Sequence, residues 1–305
     1  MPAELPQEYR VDPAELPSDA VIFGRTHAMR DVRGKIEAIR NNDLPVLLEG
    51  ECGTGKDLVA RYLHSQSSRR EMPFVKLSCA ATPVEFLESA LLGYEEGAFP
   101  GAYEIRQGLV DIASGGTLFL DEIGETSWAQ QSKLLHLLQA GRHLQVDSLE
   151  RHGANVRIIC ATSISLAEAV ARGTFRKDLF YCIDAISFRL SALRERKEDI
   201  PELWEFFTAK LARRLGKEAP QLTPAVLEVL NQWNWPGNLL ELENCIARVI
   251  VLGDESAICE ELMRHVRQQK IDEELASNGN SLLNGSRDSA AYERRRVHRR
   301  FSRFR

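Results

Sequence analysis

Residues Gly50, Glu51, Cys52, Gly53, Thr54, Gly55, Lys56 and Asp57 read "GECGTGKD", the spacing G-x-x-x-x-G-K with Asp57 where Ser or Thr commonly follows the lysine. Glycines so spaced let a backbone curl until its N–H groups converge on phosphate oxygens. The lysine adds a positive charge, and a helix starting there adds the positive end of its dipole. A second stretch, "GGTLFLDEI", is an apolar run that ends in Asp121 and Glu122. Two carboxylates at the carboxyl end of a buried strand lie where open α/β sheets bind ligands. There Asp121 can hold Mg²⁺, and Glu122 can polarise a water for attack on a γ-phosphate. Together the two stretches point to ATP and Mg²⁺.

Such groups need a sheet edge to hold them, and the surrounding pattern supplies one. After a helical pattern from Ala28 to Asn41, "PVLLEG" (45–50) reads as a buried strand running into the glycine loop, and the residues after Lys56 as a helix. "PFVKLSC" (73–79), "GTLFLDEI" (116–123), "NVRIICAT" (155–162) and "AISFRL" (185–190) read as four more strands. Helical patterns such as 130–140 and 165–173 lie between them. Strands alternating with helices predict a parallel sheet of βαβ units with helices on both faces. After Leu190 the pattern is helical only, over 198–216, 223–235 and 238–253, with Thr223 and Asn238 as expected N-caps and Pro224 in a first turn. The expected organisation is a disordered leader (1–20), an α/β nucleotide-binding unit (21–190), a small all-helical unit (191–260), and a linker with an Arg-rich tail (261–305).

The 305 residues are 44% hydrophobic and 27% charged, an ordinary globular balance, and a net charge of −5 argues against a basic nucleic-acid binder. The exception is the last fourteen residues, "YERRRVHRRFSRFR", with seven Arg against one Glu. There Val297, Phe301 and Phe304 would form an apolar stripe if helical, and the segment could grip DNA phosphates or an anionic surface; a basic end without a partner reads equally well. Six cysteines without a CxxC pair suggest no zinc site and suit a reducing cytoplasm. The acidic, Pro-rich start is not a targeting peptide, and no apolar run is long enough to span a membrane.

The string "GAFPGA" (Gly97, Ala98, Phe99, Pro100, Gly101, Ala102) fits neither helix nor strand, and its low polarity is odd for a surface loop. With "GECGTGKD", "LESALLGYEEGAFPGA", "GGTLFLDEIGE", "FRKDLFY", "LRERKEDIP" and "WPGN", residues 20–258 resemble the AAA+ ATPase domain of sigma-54-dependent transcriptional activators. The resemblance implies a five-stranded P-loop NTPase sheet with a helical lid, assembled into a ring, usually a hexamer, with ATP between subunits. It implies that the 97–102 string is a loop that touches sigma-54, with Phe99 at its tip. It also implies that Thr162 senses nucleotide and that Arg176 reaches a neighbouring subunit's ATP.

Several positions depart from the family pattern. Pro100 replaces the loop threonine, and proline has neither hydroxyl nor N–H to offer. Ser78 replaces the asparagine that pairs with the Walker-B glutamate, Ser163 an asparagine beside Thr162, Cys182 a second arginine, and Leu240 the lid arginine that reaches the γ-phosphate. An arginine finger is worth about 10³–10⁵ in rate, whereas ground-state binding rests on the loop, Lys56 and Asp121. The expected activity is ATP binding with weakened hydrolysis and weakened sigma-54 remodelling. Two rival readings use the same residues: a non-hydrolysing subunit that joins the rings of intact relatives, and a AAA+ remodeller of another protein target.

Overall fold

The alternation of large apolar side chains along each strand determines the architecture. In the computed structural model, which describes residues 6–94, 106–147, 155–254, 259–269 and 271, five parallel strands form a sheet. They are β1 (Val46–Glu49), β2 (Phe74–Ser78), β5 (Thr117–Asp121), β6 (Arg157–Thr162) and β7 (Ile186–Arg189), in the order β2-β5-β6-β1-β7. Leu47, Val75, Leu77, Leu118, Leu120 and Cys160 point to one face. They meet α4 (Val84–Leu92), α6 (Trp128–Asp147), α7 (Leu166–Ala171) and α8 (Lys177–Ile183) through Leu87, Leu134, Leu166 and Leu179. Val46, Leu48, Phe74, Phe119, Ile159, Ala161 and Phe188 point to the other. There they meet α1 (Asp19–Phe23), α2 (His27–Ile39) and α3 (Lys56–Ser65). A parallel sheet covered on both faces needs such near-continuous apolar strands.

Two very short strands, β3 (Gly93–Tyr94) and β4 (Arg106–Gln107), pair antiparallel, with Gly93 opposite Gln107 and Tyr94 opposite Arg106. A single turn, α5 (Leu109–Ile112), follows. The segment between β3 and β4, including Gly97, Ala98, Phe99, Pro100, Gly101 and Ala102, lies outside the described residues, as do the Arg-rich tail and the linker before it.

The helical unit consists of α9 (Ile200–Leu215), α10 (Pro224–Gln232), α11 (Asn238–Leu252) and a further helix, α12, over 259–269. Its core holds the fully buried Trp204 and Trp235 together with Leu211, Leu230, Leu242 and Ile246. Thr223 caps α10 by accepting from the Val226 N–H at 3.3 Å. Gly216 and Gly253 close α9 and α11 in the left-handed region that favours glycine.

Three expectations are corrected. Residues 6–20, expected to be disordered, include 3₁₀ turns at Gln7–Tyr9 and Pro13–Glu15, and Val11 is buried beside α1 and α2. Prolines that pre-set φ lower the entropy cost of ordering so short a leader. The helical unit does not stop at 260: α12 buries Leu262 and Val266, four residues apart on one face, in a stretch whose polarity reads as linker. Asn238 is no N-cap: it has φ 53°, Gly237 precedes the helix, and its side chain serves another contact. Among the described residues, no helix is long and apolar enough to cross a membrane.

Candidate nucleotide-binding site

The loop at 50–55 leaves the carboxyl end of β1, at the edge of the sheet next to β6, and runs straight into α3. Gly53 (φ 77°) and Gly55 (φ 96°) both sit in the left-handed region, which a side chain would strain. Their turns bend the chain back so that Thr54 Oγ1 donates to the Glu51 carbonyl at 2.8 Å. Lys56 opens α3 and is only 6% exposed. Its Nζ donates to the Gly50 carbonyl at 2.7 Å and the Glu51 carbonyl at 3.2 Å, and pairs with Glu122 Oε1 at 3.1 Å. The lysine thus spans the loop and the carboxylate at the end of β5.

Glu122 stands just past β5 with φ 53°, an unfavoured conformation for a non-glycine residue. Its Oε2 accepts from the Ser163 N–H at 2.8 Å. Both carboxylate oxygens are therefore engaged, one by Lys56 and one by the residue after Thr162. Thr162 itself is buried, its hydroxyl 3.3 Å from both the N–H and the carbonyl of Ile164. Gly124 packs so closely over it that a Cβ there would lie 2.3 Å from Thr162 Oγ1.

Asp121 and Asp57 are joined through a residue that the motif reading missed. Lys76 Nζ lies 2.8 Å from Asp121 Oδ2 and 2.9 Å from Asp57 Oδ1, and Asp57 Oδ2 also accepts from Arg61 Nε at 2.8 Å. Burial raises the Asp57 pKa, but hydrogen bonds from Lys76 and Arg61 outweigh it and hold the group below its ordinary value. Burial lowers the Lys76 pKa, and the bonds to Asp121 and Asp57 outweigh that in turn. The signal was present in "PFVKLSC": a lysine inside an otherwise buried strand needs a partner.

The helical unit closes directly on the loop. The Leu239 N–H donates to the Gly53 carbonyl at 3.0 Å, and Asn238 Nδ2 to the Cys52 carbonyl at 2.9 Å. Asn238 Oδ1 accepts from the Leu193 N–H at 2.8 Å. Arg194 forks onto both carboxylate oxygens of Glu51, and this bond is the main reason that the Glu51 pKa lies below its ordinary value. A Cβ on Gly53 would stand 2.3 Å from the Gly237 carbonyl and 3.3 Å from the Leu240 side chain. Leu240, 53% exposed, therefore lies over the loop. Beside Gly50 and Glu51 a cavity of about 200 Å³ opens toward Ser163, Arg189 and Glu195.

Arg176 belongs to a separate group. Its guanidinium bonds Asp178 through Nε at 3.0 Å and Nη2 at 2.8 Å, donates to Ser132 Oγ at 3.0 Å, and lies 5.4 Å from the centre of the Trp128 ring. Cys182, on the helix that Arg176 precedes, is buried in the core against the sheet. Cys52 is exposed at the loop.

The donor set fits the groups that it suggests. Two left-handed glycines and a lysine at a helix start suit a triphosphate, and the oxygens of Asp121 and Asp57 are the hard donors that Mg²⁺ takes.

Residues 22–189 match the family model described as "Sigma-54 interaction domain", and residues 194–278 match "AAA+ ATPase lid domain". The second match runs past residue 260, in keeping with α12. The Nif-specific regulatory protein of Klebsiella pneumoniae is 42% identical over 276 residues, which cover 90% of this chain and 52% of that protein. The response regulator protein PilR of Pseudomonas aeruginosa is 42% identical over 244 residues, 80% of this chain and 55% of that protein. The chain thus spans about half the length of these curated relatives. The crystal structure of NtrX from Brucella abortus in complex with ATP aligns with a TM-score of 0.66 at 34% identity, covering 78% of this chain and 51% of that one.

Proposed function

The chain belongs to the sigma-54 interaction domain family of AAA+ ATPases, and from that membership we propose that it binds Mg-ATP at the loop 50–57 and acts in transcription regulation as a sigma-54 activator with weakened hydrolysis. The observation that carries this reading is the position of Lys56 Nζ, within 3.2 Å of two loop carbonyls and of the Glu122 carboxylate. A triphosphate competes for the same ammonium. When Lys56 turns to phosphate oxygens, Glu122 Oε1 loses its partner and becomes free to take a proton from water, while Oε2 stays held by the Ser163 N–H. Asp121 would hold Mg²⁺, which when bound would supply charge neutralisation of the phosphates. Thr162 and Arg176 take the sensing and neighbour-reaching roles that the family resemblance implies, in a ring of several copies, with Phe99 toward sigma-54. That the relative NtrX was crystallised with ATP supports the nucleotide assignment.

Weak hydrolysis is supported by Leu240. It lies over Gly53, where the family has an arginine, and brings no charge to a γ-phosphate. The decisive experiment titrates a fluorescent ATP analogue into the wild type and Lys56→Ala, and follows phosphate release across protein concentration. Strong binding lost in the variant, with slow release at all concentrations, is expected. Equal affinity in both proteins would sink the assignment of the loop. Fast, concentration-dependent release would sink the weakened-hydrolysis reading and leave the nucleotide site intact.

A further inference from the structure

Asp57, Lys76 and Asp121 come from three elements. Asp57 is in the first turn of α3, Lys76 in the middle of β2, and Asp121 ends β5. The parallel register places Ser78 opposite Asp121 and Lys76 opposite Phe119, so Lys76 starts two residues short of the sheet edge. Its stem crosses the Phe119 ring, with Nζ 5.5 Å from the ring centre, and delivers the ammonium forward to both carboxylates. The side chain is 36% exposed and that of Asp121 19%. Burial beside an apolar ring strengthens the attraction relative to open water. An ammonium is a compact point charge with three donors, the side-chain group most like a hydrated metal cation in what it offers a carboxylate.

We propose that Lys76 sets the divalent-cation affinity of the site: its ammonium neutralises Asp121 in the metal-free chain, and a divalent cation that arrives with nucleotide takes Asp121 in competition with it. The proposal rests on the nucleotide assignment above. Two consequences follow from the charges. Without the ammonium, Asp121 and Asp57 attract a metal ion more strongly. Without the ammonium and without metal, the same two carboxylates repel the phosphates that Lys56 attracts.

Lys76→Gln removes the charge and keeps an amide donor; Lys76→Met removes both; Lys76→Arg keeps the charge. Manganese(II) alone, titrated against the full chain and followed by electron paramagnetic resonance, reads the metal affinity without nucleotide or turnover. The expected result is about tenfold tighter binding in the Gln and Met variants, the factor that one opposite charge within ion-pair distance imposes, and wild-type affinity in the Arg variant. A fluorescent ATP analogue then reads nucleotide affinity with magnesium and with a chelator. The wild type is expected to lose little on chelation and the Gln variant about tenfold more. Unchanged manganese affinity in the Gln and Met variants would overturn the proposal and leave the nucleotide assignment standing. Failure of the wild type to bind the analogue would overturn that assignment, while the manganese titration would still decide the role of Lys76.

Discussion

Lys56 and Glu122 form an ion pair at 3.1 Å, between the first residue of the helix after the loop and the residue just past the end of a strand one position further across the sheet from β6. Neither group can act on a nucleotide while it holds the other. Removal of either charge therefore has opposite effects on binding. Lys56→Ala is expected to weaken binding of an ATP analogue about ten- to hundredfold, the worth of a hydrogen bond to a charged group. Glu122→Gln is expected to bind the analogue at least as tightly as wild type, because Lys56 is released, and to abolish phosphate release. Titration of both variants checks the pair, and weaker binding by Glu122→Gln would refute the competition.

Gly53→Ala places a side chain at φ 77°, where its Cβ would lie 2.3 Å from the Gly237 carbonyl. The loop and the helical unit must then part. The expected loss is about 1–3 kcal/mol of stability, read by urea unfolding, together with loss of nucleotide binding. Gly173→Ala, at a similar φ with open space around it, isolates the strain alone.

His64 is fully buried, with Nδ1 2.9 Å from Thr117 Oγ1, and burial lowers its pKa from 6.5 to about 4. The unfolded chain therefore binds a proton that the folded chain refuses. Stability is full above about pH 6.5 and falls as pH drops toward 4, by about 3 kcal/mol in total. His64→Gln is expected to flatten that slope in urea melts from pH 7 to pH 4.

Leu240→Arg introduces a charge at an exposed position over the loop, with room for the longer side chain. Phosphate release is expected to rise at least about tenfold, a small part of what an arginine at a γ-phosphate supplies. Cys182→Arg is a different case. Its site is only 7% exposed, and a charge buried there is expected to cost about 2–4 kcal/mol. Restoration of both arginines is therefore expected to give less activity than Leu240→Arg alone, measured as release per total protein, with urea unfolding to show the lost stability.

Cys52 is exposed at the loop, whereas Cys79, Cys160, Cys182 and Cys245 are buried. Burial next to Asp121 and Glu122 pushes the Cys79 thiol up to about 12, which removes it from competition. Mild alkylation is expected to label Cys52 ahead of these four and to block nucleotide binding, with ATP protecting. Peptide mapping that finds Cys52 unlabelled would refute this.

The sheet was legible because its strands are short apolar runs between glycines and helical patterns, and each predicted strand lies within about two residues of its observed ends. The glycine turn between β1 and α3 was legible from its spacing. What escaped are the partners chosen in three dimensions. Lys76 carries no motif, and its role depends on the β2–β5 register. Arg194 and Glu51 are 143 residues apart. Asn238 looked like a helix cap because Asn favours caps; its left-handed backbone instead turns the amide onto the Cys52 carbonyl. Val11 and α12 were missed because a few apolar residues in polar surroundings are enough to dock a short segment.

The contacts of Asn238 and Leu239 have a consequence for observation. The N–H of Leu193 bonds the Asn238 side chain, and the N–H of Leu239 bonds the Gly53 carbonyl. The Leu239 bond crosses to the loop and the Leu193 bond lies within the helical unit, but the Asn238 side chain also holds the Cys52 carbonyl, so both amides feel the parting of loop and helical unit. Their hydrogen exchange should be synchronous in the resting protein, and a ligand that rearranges the loop should shift both rates together. The interior of α11, whose bonds are its own, would keep its rate. A pair of backbone protons thus serves as an internal gauge of loop movement, readable without a label and without turnover.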